Sequence, residues 1–315
     1  MQICLITPTK ANSASGNRTT AIRWRNILHS LGHTVHVSNN YTSQPADLMI
    51  ALHAWRSAQS IQRFADIHPT KPLIVAITGT DAYRFIHSHP KETLHSLTLA
   101  TKLVGLHALI HRALPIEHKH KVEVIYQSTE ITAKRPIIKK GFQVCVAGHL
   151  RDEKDSLRPA YAARSLPMTS KINIAHFGAA HSKEWSKKAR QETVRNSRYY
   201  WHGEVTPFQL SKQFRVSRLL VLPSVMEGGA NIISEAIMSD LPVIASNIDG
   251  SVGLLGDKYN GYYQVKNTSD LRDILLRCEK DPKFYRALAY QCKQKKKLFT
   301  PNQELHSWRK LLSSL

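Results

Sequence analysis

Short apolar runs alternate along this chain with longer stretches in which apolar residues recur every third or fourth position. Ile3–Thr7 is the first run and predicts a buried strand. A polar loop, PTKANSASGNR, follows it, and then Trp24, Ile27, Leu28 and Leu31 fall on one helical face, with Gly32 placed to end the helix. The runs TVHV, DLMIALHA, PLIVAITG, KLVGLH and VEVIYQ continue the series, with helical segments in most of the gaps. This is the βαβ rhythm of a parallel sheet covered on both faces.

After Gln127 the rhythm breaks. TEITAKRPIIKKG carries proline and charge and reads as a linker, placed at 131–141. A second series follows, FQVCVAGHL, INIAHFG, YYWHG, RLLVLPS, LPVIAS and GYYQV, again with helices between. The pattern predicts an α/β protein of two doubly wound parallel-sheet domains facing a cleft, one over 1–130 and one over 142–295. Residues 296–315 form a C-terminal helix that can pack back on the first domain. Breaks are expected at Pro282 and Pro301.

Composition changes this picture little. At 315 residues and 42% hydrophobic, the chain can fill two cores and is too apolar for disorder. No apolar run approaches the roughly 18–20 residues of a membrane helix. The N-terminal MQICLITPTK reads as a strand rather than a leader. Cys4, Cys145, Cys278 and Cys292 are scattered without a CxxC, which suits a reducing cytoplasm and gives no zinc site or disulfide framework. The charge of +21 does change the picture, because a positive field attracts phosphorylated small molecules, nucleic acid or acidic lipid. Runs such as HKHK at 118–121, KRPIIKK at 134–140 and KQKKK at 293–297 read most simply as solvated faces or linker. None interleaves aromatics as a nucleic-acid platform would.

In doubly wound sheets ligands bind beyond the carboxyl ends of the strands, which limits the search for a site. After the first strand, Gly16, Asn17, Arg18 and Thr19 open a helix, where free N–H groups and a fixed cation suit an anion; GxGxxG is absent. The third and fourth strands end in His53 and Arg56, and in Thr78, Thr80 and Asp81 with Arg84 behind them. VEVIYQ ends in Gln127. In the second domain His149, Arg151 and Lys154 follow FQVCVA and could grip a diphosphate, and Gly203 closes YYWHG. In SVMEGGANIISEA, Glu227 precedes Gly228, Gly229 and Ala230, and Glu235 lies one turn into a helix whose N-cap candidate is Asn231. Bare amides suit phosphate oxygens and carboxylates suit hydroxyls, as in a sugar nucleotide.

These segments, with LPVIASNIDGSVGLLG, resemble the GT-B-fold glycosyltransferases that use nucleoside-diphosphate sugars through two Rossmann-like domains. Glu227 and Glu235 match their E-x7-E signature, and Lys154 in GHLRDEK matches the diphosphate-binding lysine. His149 stands where that family has arginine, with Arg151 two residues later, and Thr78 stands at a position often occupied by histidine. The combination GNRTTAIRW, ALHAWRSAQSI, AITGTDAYR, VIYQS, VCVAGHLR, EGGANIISEA and GSVGLLG is similar over nearly the whole chain to the selenosugar synthases of selenoneine biosynthesis.

That resemblance implies a cytoplasmic enzyme moving a sugar, N-acetylglucosamine, from a UDP-sugar to selenophosphate. It implies Glu235 on the ribose, Glu227 and the following amides on sugar and phosphates, and Lys154 and Arg151 on the leaving UDP. Arg18, Arg56 and Arg84, with Gly16, Asn17, Thr19, Thr78, Thr80 and Gln127, would hold the acceptor, and His53 and Asp81 would serve Se–P cleavage. No cofactor or metal is expected, since no Asp-x-Asp motif faces either strand-end set, and neither nucleic acid nor stable membrane insertion. Two rival readings remain at this stage: transfer to a hydroxyl of a lipid, glycan or small molecule, and a basic nucleic-acid-binding protein.

Overall fold

The computed structural model describes residues 1–9, 16–130 and 141–315. The loop residues 10–15 and the linker residues 131–140, including KRPIIKK, lie outside the described residues. Two compact units are present. One comprises Met1–Ser128 with Glu227–Asn231 and Leu298–Leu315; the other comprises Thr129–Met226 and Ile232–Lys297.

The first unit holds strands β1 (Gln2–Ile6), β2 (Thr34–Ser38), β3 (Leu48–Leu52), β4 (Leu73–Ala76), β5 (Lys102–Gly105) and β6 (Val122–Val124). They form one six-stranded sheet in the order β2-β1-β3-β4-β5-β6, parallel at every pairing. β3 and β4 are buried along their whole length, as expected of strands covered on both faces. One face packs Cys4, Ile6, Met49, Val75 and Leu103 against Ile61, Phe64 and Leu97. The other packs Ile3, Leu5, Ile50 and Val104 against Ala21, Trp24 and Leu28 of helix Gly16–Ser30. Trp308 and Leu311 of helix Pro301–Leu312 complete this second face, with the Trp24 and Trp308 rings edge to face at 4.8 Å.

The second unit holds β7 (Phe142–Ala147), β8 (Ile172–Phe177), β9 (Tyr199–Trp201), β10 (Leu219–Leu222), β11 (Val243–Ser246) and β12 (Tyr262–Tyr263). Their order is β12-β11-β10-β7-β8-β9, again parallel throughout. The chain therefore winds outward in both directions from β7 and β10, and the segments after those two strands border the point where the winding reverses. Ligands of open α/β sheets bind at such a point. In the first unit the reversal lies between β1 and β3, and Gly16–Thr19 and His53–Arg56 follow those strands. Pro282 and Pro301 each stand in the first turn of a new helix, where a missing N–H does no harm. All four cysteines are buried free thiols.

Candidate active site

In the second unit, the segment after β7 is held by its own residues. The Ser156 hydroxyl donates to the His149 carbonyl at 3.2 Å, and Arg158 closes on Asp155 at 2.8 and 3.2 Å and on the Thr268 hydroxyl at 2.7 Å. Asp155 has φ of 42°, the left-handed turn that sends the chain from the loop into helix Arg158–Arg164. The Val225 N–H donates to the Glu153 carbonyl at 2.9 Å, which ties this loop to the one after β10. Lys154 and Arg151 are both half-buried, and the Lys154 stem passes 3.9 Å from the point where a Gly148 Cβ would stand. The two cations are therefore carried on a fixed loop at the sheet's reversal point.

His149 plays a different part from a cation. The Ala179 N–H donates to its Nδ1 at 3.1 Å, so in the neutral ring the hydrogen is on Nε2. Burial pushes its pKa below the usual range; Arg151, Lys154 and His181 push the same way and Glu204 opposes them. A neutral imidazole thus offers one N–H where a cation might be expected, and positive charge comes from Arg151 and Lys154. Beneath it, the fully buried His176 lies between the Tyr199 hydroxyl (2.9 Å, Nδ1) and the Gly148 carbonyl (3.2 Å, Nε2). Desolvation holds its pKa down to about 4, against the Gly148 contact. The unfolded chain, with an ordinary histidine near pH 6.5, binds the proton first. Stability therefore falls as pH drops from 6.5 towards 4, and this contribution is constant below that. We expect urea titrations to show proton uptake on unfolding in that window, and His176→Gln to lose it. Gly203, two residues beyond β9, has φ of 73°, and its carbonyl accepts from the Gly178 N–H at 2.7 Å.

In the first unit the strand ends of β3 and β4 meet. His53 and Asp81, 2% and 1% exposed, are paired at 2.6 Å (Nδ1 to Oδ1). Thr78 is buried and its hydroxyl donates to Asp81 at 2.9 Å; Thr80 is half-buried with its hydroxyl 3.2 Å from His53 Nε2. Arg56 and Arg84 are exposed, and the Arg84 guanidinium stands 5.6 Å from the Phe85 ring centre. Gly16 and Thr19 are exposed and Asn17 and Arg18 half-buried in the first turn of helix Gly16–Ser30.

The segment Glu227–Asn231 packs within this first unit. Gly228 lies so close to the Gly79 backbone that a Cβ on Gly79 would stand 2.5 Å from the Gly228 nitrogen, and a Cβ on Gly228 would be closer still to the Gly79 nitrogen. Neither backbone can move aside cheaply, so Gly228→Ala should destabilise the protein by about 1–3 kcal/mol, read by thermal unfolding. Gln127, 4% exposed, holds the same loop. With its amide turned to satisfy its neighbours, it donates to Asn231 Oδ1 (2.7 Å) and the Gly229 carbonyl (3.1 Å). It accepts from Arg23 Nη2 (2.9 Å) and the Thr20 hydroxyl (2.6 Å). Glu227 and Ala230 are buried; Asn231 starts helix Asn231–Met238, and Glu235 is half-buried on it.

Sequence reading missed the group that anchors this arrangement. Glu304, fully buried, accepts from Trp24 Nε1 (2.8 Å), Arg23 Nε (3.1 Å) and the Ser128 N–H (2.7 Å) and hydroxyl. Its only sequence signal is a carboxylate between the apolar positions of an amphipathic helix, and its partners lie far away in the chain. Among the described residues no group of three or more His, Cys, Asp and Glu is placed to hold a metal ion. Among them, too, no helix is long and apolar enough to cross a membrane.

A model of the family "Glycosyl transferases group 1" matches residues 127–295, more than half of the chain. No curated protein matches in sequence. Among solved structures, Anabaena HepE in complex with UDP and glucose is 16% identical, with a TM-score of 0.79 over 100% of both chains. The sucrose-phosphate synthase of Thermosynechococcus elongatus is 12% identical, with a TM-score of 0.76 over 100% of both chains. The lipopolysaccharide outer core galactosyltransferase WaaB, in its apo form, is 14% identical with a TM-score of 0.72, again over 100% of both chains. At these identities the likeness is one of fold, the α/β GT-B fold.

Proposed function

Because this chain belongs to the group 1 glycosyl transferases, we propose that it moves a sugar, N-acetylglucosamine, from a UDP-sugar to selenophosphate. The products are a 1-seleno-sugar, UDP and phosphate. UDP as the carrier is supported by the UDP bound in the HepE structure of the same fold. Glu235 takes the ribose hydroxyls, and Glu227 with the amides of Gly228, Gly229 and Ala230 takes the sugar and phosphates. Negative charge grows on the leaving UDP in the transition state, where Lys154 and Arg151 meet it. His149 donates its Nε2–H without adding charge.

One observation carries the acceptor. At the first unit's strand ends the Arg56 and Arg84 side chains are exposed and that of Arg18 is half-buried. An anionic selenium nucleophile needs no base for the transfer step; it needs cations for its phosphoryl group. The resemblance of motifs such as GNRTTAIRW and AITGTDAYR to those of selenosugar synthases points the same way.

Anaerobic incubation with UDP-N-acetylglucosamine, with and without selenophosphate, tests this. Selenophosphate-dependent UDP release with a selenium-bearing sugar by mass is the expected result. UDP-sugar binding without that product would leave the donor assignment and remove the acceptor. Since protein cations meet the leaving group, we also expect EDTA to leave turnover unchanged; loss restored by Mg²⁺ would contradict this.

A further inference from the structure

The lone pairs of the buried Asp81 carboxylate are taken up by its neighbours. Oδ2 accepts from the N–H groups of Ala54 (3.1 Å) and Thr78 (3.0 Å) and from the Thr78 hydroxyl (2.9 Å). Oδ1 accepts from the Trp55 N–H (3.1 Å) and faces His53 Nδ1 at 2.6 Å. The Arg56 N–H also approaches Nδ1, at 3.2 Å, and of these two contacts the shorter one, to the carboxylate at 2.6 Å, sets the hydrogen on Nδ1. Nε2 is then the acceptor nitrogen, and the Thr80 hydroxyl lies 3.2 Å from it and 3.3 Å from the Thr78 hydroxyl, so its one hydrogen serves either neighbour. Imidazole and carboxylate are both shielded from solvent, so of the three only Thr80 can touch a substrate.

The backbone agrees. His53 has φ of 75°, left-handed for a residue with a side chain, and is held there by the bonds from its N–H to the Ala76 carbonyl and from Ser57 N–H to its own carbonyl, both 3.0 Å. Strain of this kind concentrates at functional sites. Asp81 is the charged group in contact with the ring. The stacked Trp55 and Phe85 rings lie beside it, and His89 and Arg84 reach that stack rather than the imidazole, while the Arg56 side chain is exposed. Thr80 directly follows Gly79, the residue packed against Gly228.

We propose that Thr80 is a catalytic residue that passes a proton from water to His53, with Asp81 as the positioning residue that fixes the imidazole. This rests on the selenophosphate reading, in which sugar transfer leaves an Se–PO3 group on the sugar. Water attacks phosphorus: the O–P bond forms, the Se–P bond breaks and its electron pair stays on selenium. The water proton goes to Thr80 Oγ as the hydroxyl's own proton goes to His53 Nε2. The products are the selenolate sugar and phosphate, and the imidazolium returns its proton to solvent.

The test measures UDP and inorganic phosphate separately in anaerobic turnover with UDP-N-acetylglucosamine and selenophosphate. In Thr80→Val, phosphate release should fall about 10²-fold relative to UDP release, with the phosphorylated seleno-sugar detected by mass. Thr80→Ser should restore the wild-type ratio, and His53→Gln should lose the acid limb of the phosphate-release pH profile. Thr80→Val with a wild-type ratio and pH profile would overturn the relay. A wild-type protein that releases no UDP with selenophosphate would overturn the substrate reading instead. Proton NMR then decides the relay by itself. A downfield His53 Nδ1–H resonance lost in Asp81→Asn supports it, and absence of that resonance from the wild type overturns it.

Discussion

Lys154→Ala should lower kcat/KM for the UDP-sugar by about 10²–10³, the effect of removing one preorganised group that meets transition-state charge. The size follows from how the loop is built. Ser156, Arg158 and the Val225–Glu153 backbone bond hold the loop without using the lysine ammonium. The substitution deletes a charge while those contacts remain. UDP binding by calorimetry should weaken less than kcat/KM falls, because charge on UDP is greatest as it leaves. Lys154→Arg should retain more activity than alanine, at reduced rate, since a planar fork replaces a point charge. Wild-type turnover in Lys154→Ala would remove the leaving-group role.

Glu304→Ala should destabilise the first unit by about 3–5 kcal/mol, the range for removing one partner of a buried ion pair. Glu304 is fully buried, and its loss strands the Trp24 indole N–H and the Ser128 N–H away from water and takes the carboxylate from the part-exposed Arg23 guanidinium. It also leaves a space beside the Trp24–Trp308 contact. Thermal unfolding should show the loss, at about 2–4 °C per kcal/mol for a unit of this size. Glu304→Gln should lose less, because one amide oxygen still accepts. Arg23 also donates to Gln127, which holds the Gly229 carbonyl and Asn231. Slackening of the 227–231 loop at temperatures below unfolding is therefore expected as well, read as weaker UDP-sugar binding. A loss below 1 kcal/mol would show that water replaces the carboxylate.

The fold was legible because both sheets are parallel and buried on two faces, which forces near-continuous apolar strands separated by helices. Even the two-residue β12 stood out, in GYYQV. Strand ends could be found in the sequence, and topology then placed His149–Lys154 at the reversal point of the second sheet. Pairings across strands could not be found. His53 and Asp81 were each visible as polar strand-end residues. Their 2.6 Å contact depends on β3 and β4 being neighbours with Leu52 opposite Ala76. Gly79 and Gly228 look like ordinary loop glycines until their backbones are seen to touch. Glu304 looked like one more polar residue on an amphipathic helix, because its partners Trp24 and Ser128 are 280 and 176 residues away.

That last separation bears on how the chain is made. Trp24 and Leu28 leave the ribosome almost 300 residues before Trp308 and Leu311, which cover the same face. At about 5–20 residues per second, this apolar face waits for on the order of tens of seconds. Throughout that interval the second unit can be synthesised and folded, so the first unit is finished after the second. During synthesis its open face is a target for chaperones and for association with other nascent chains.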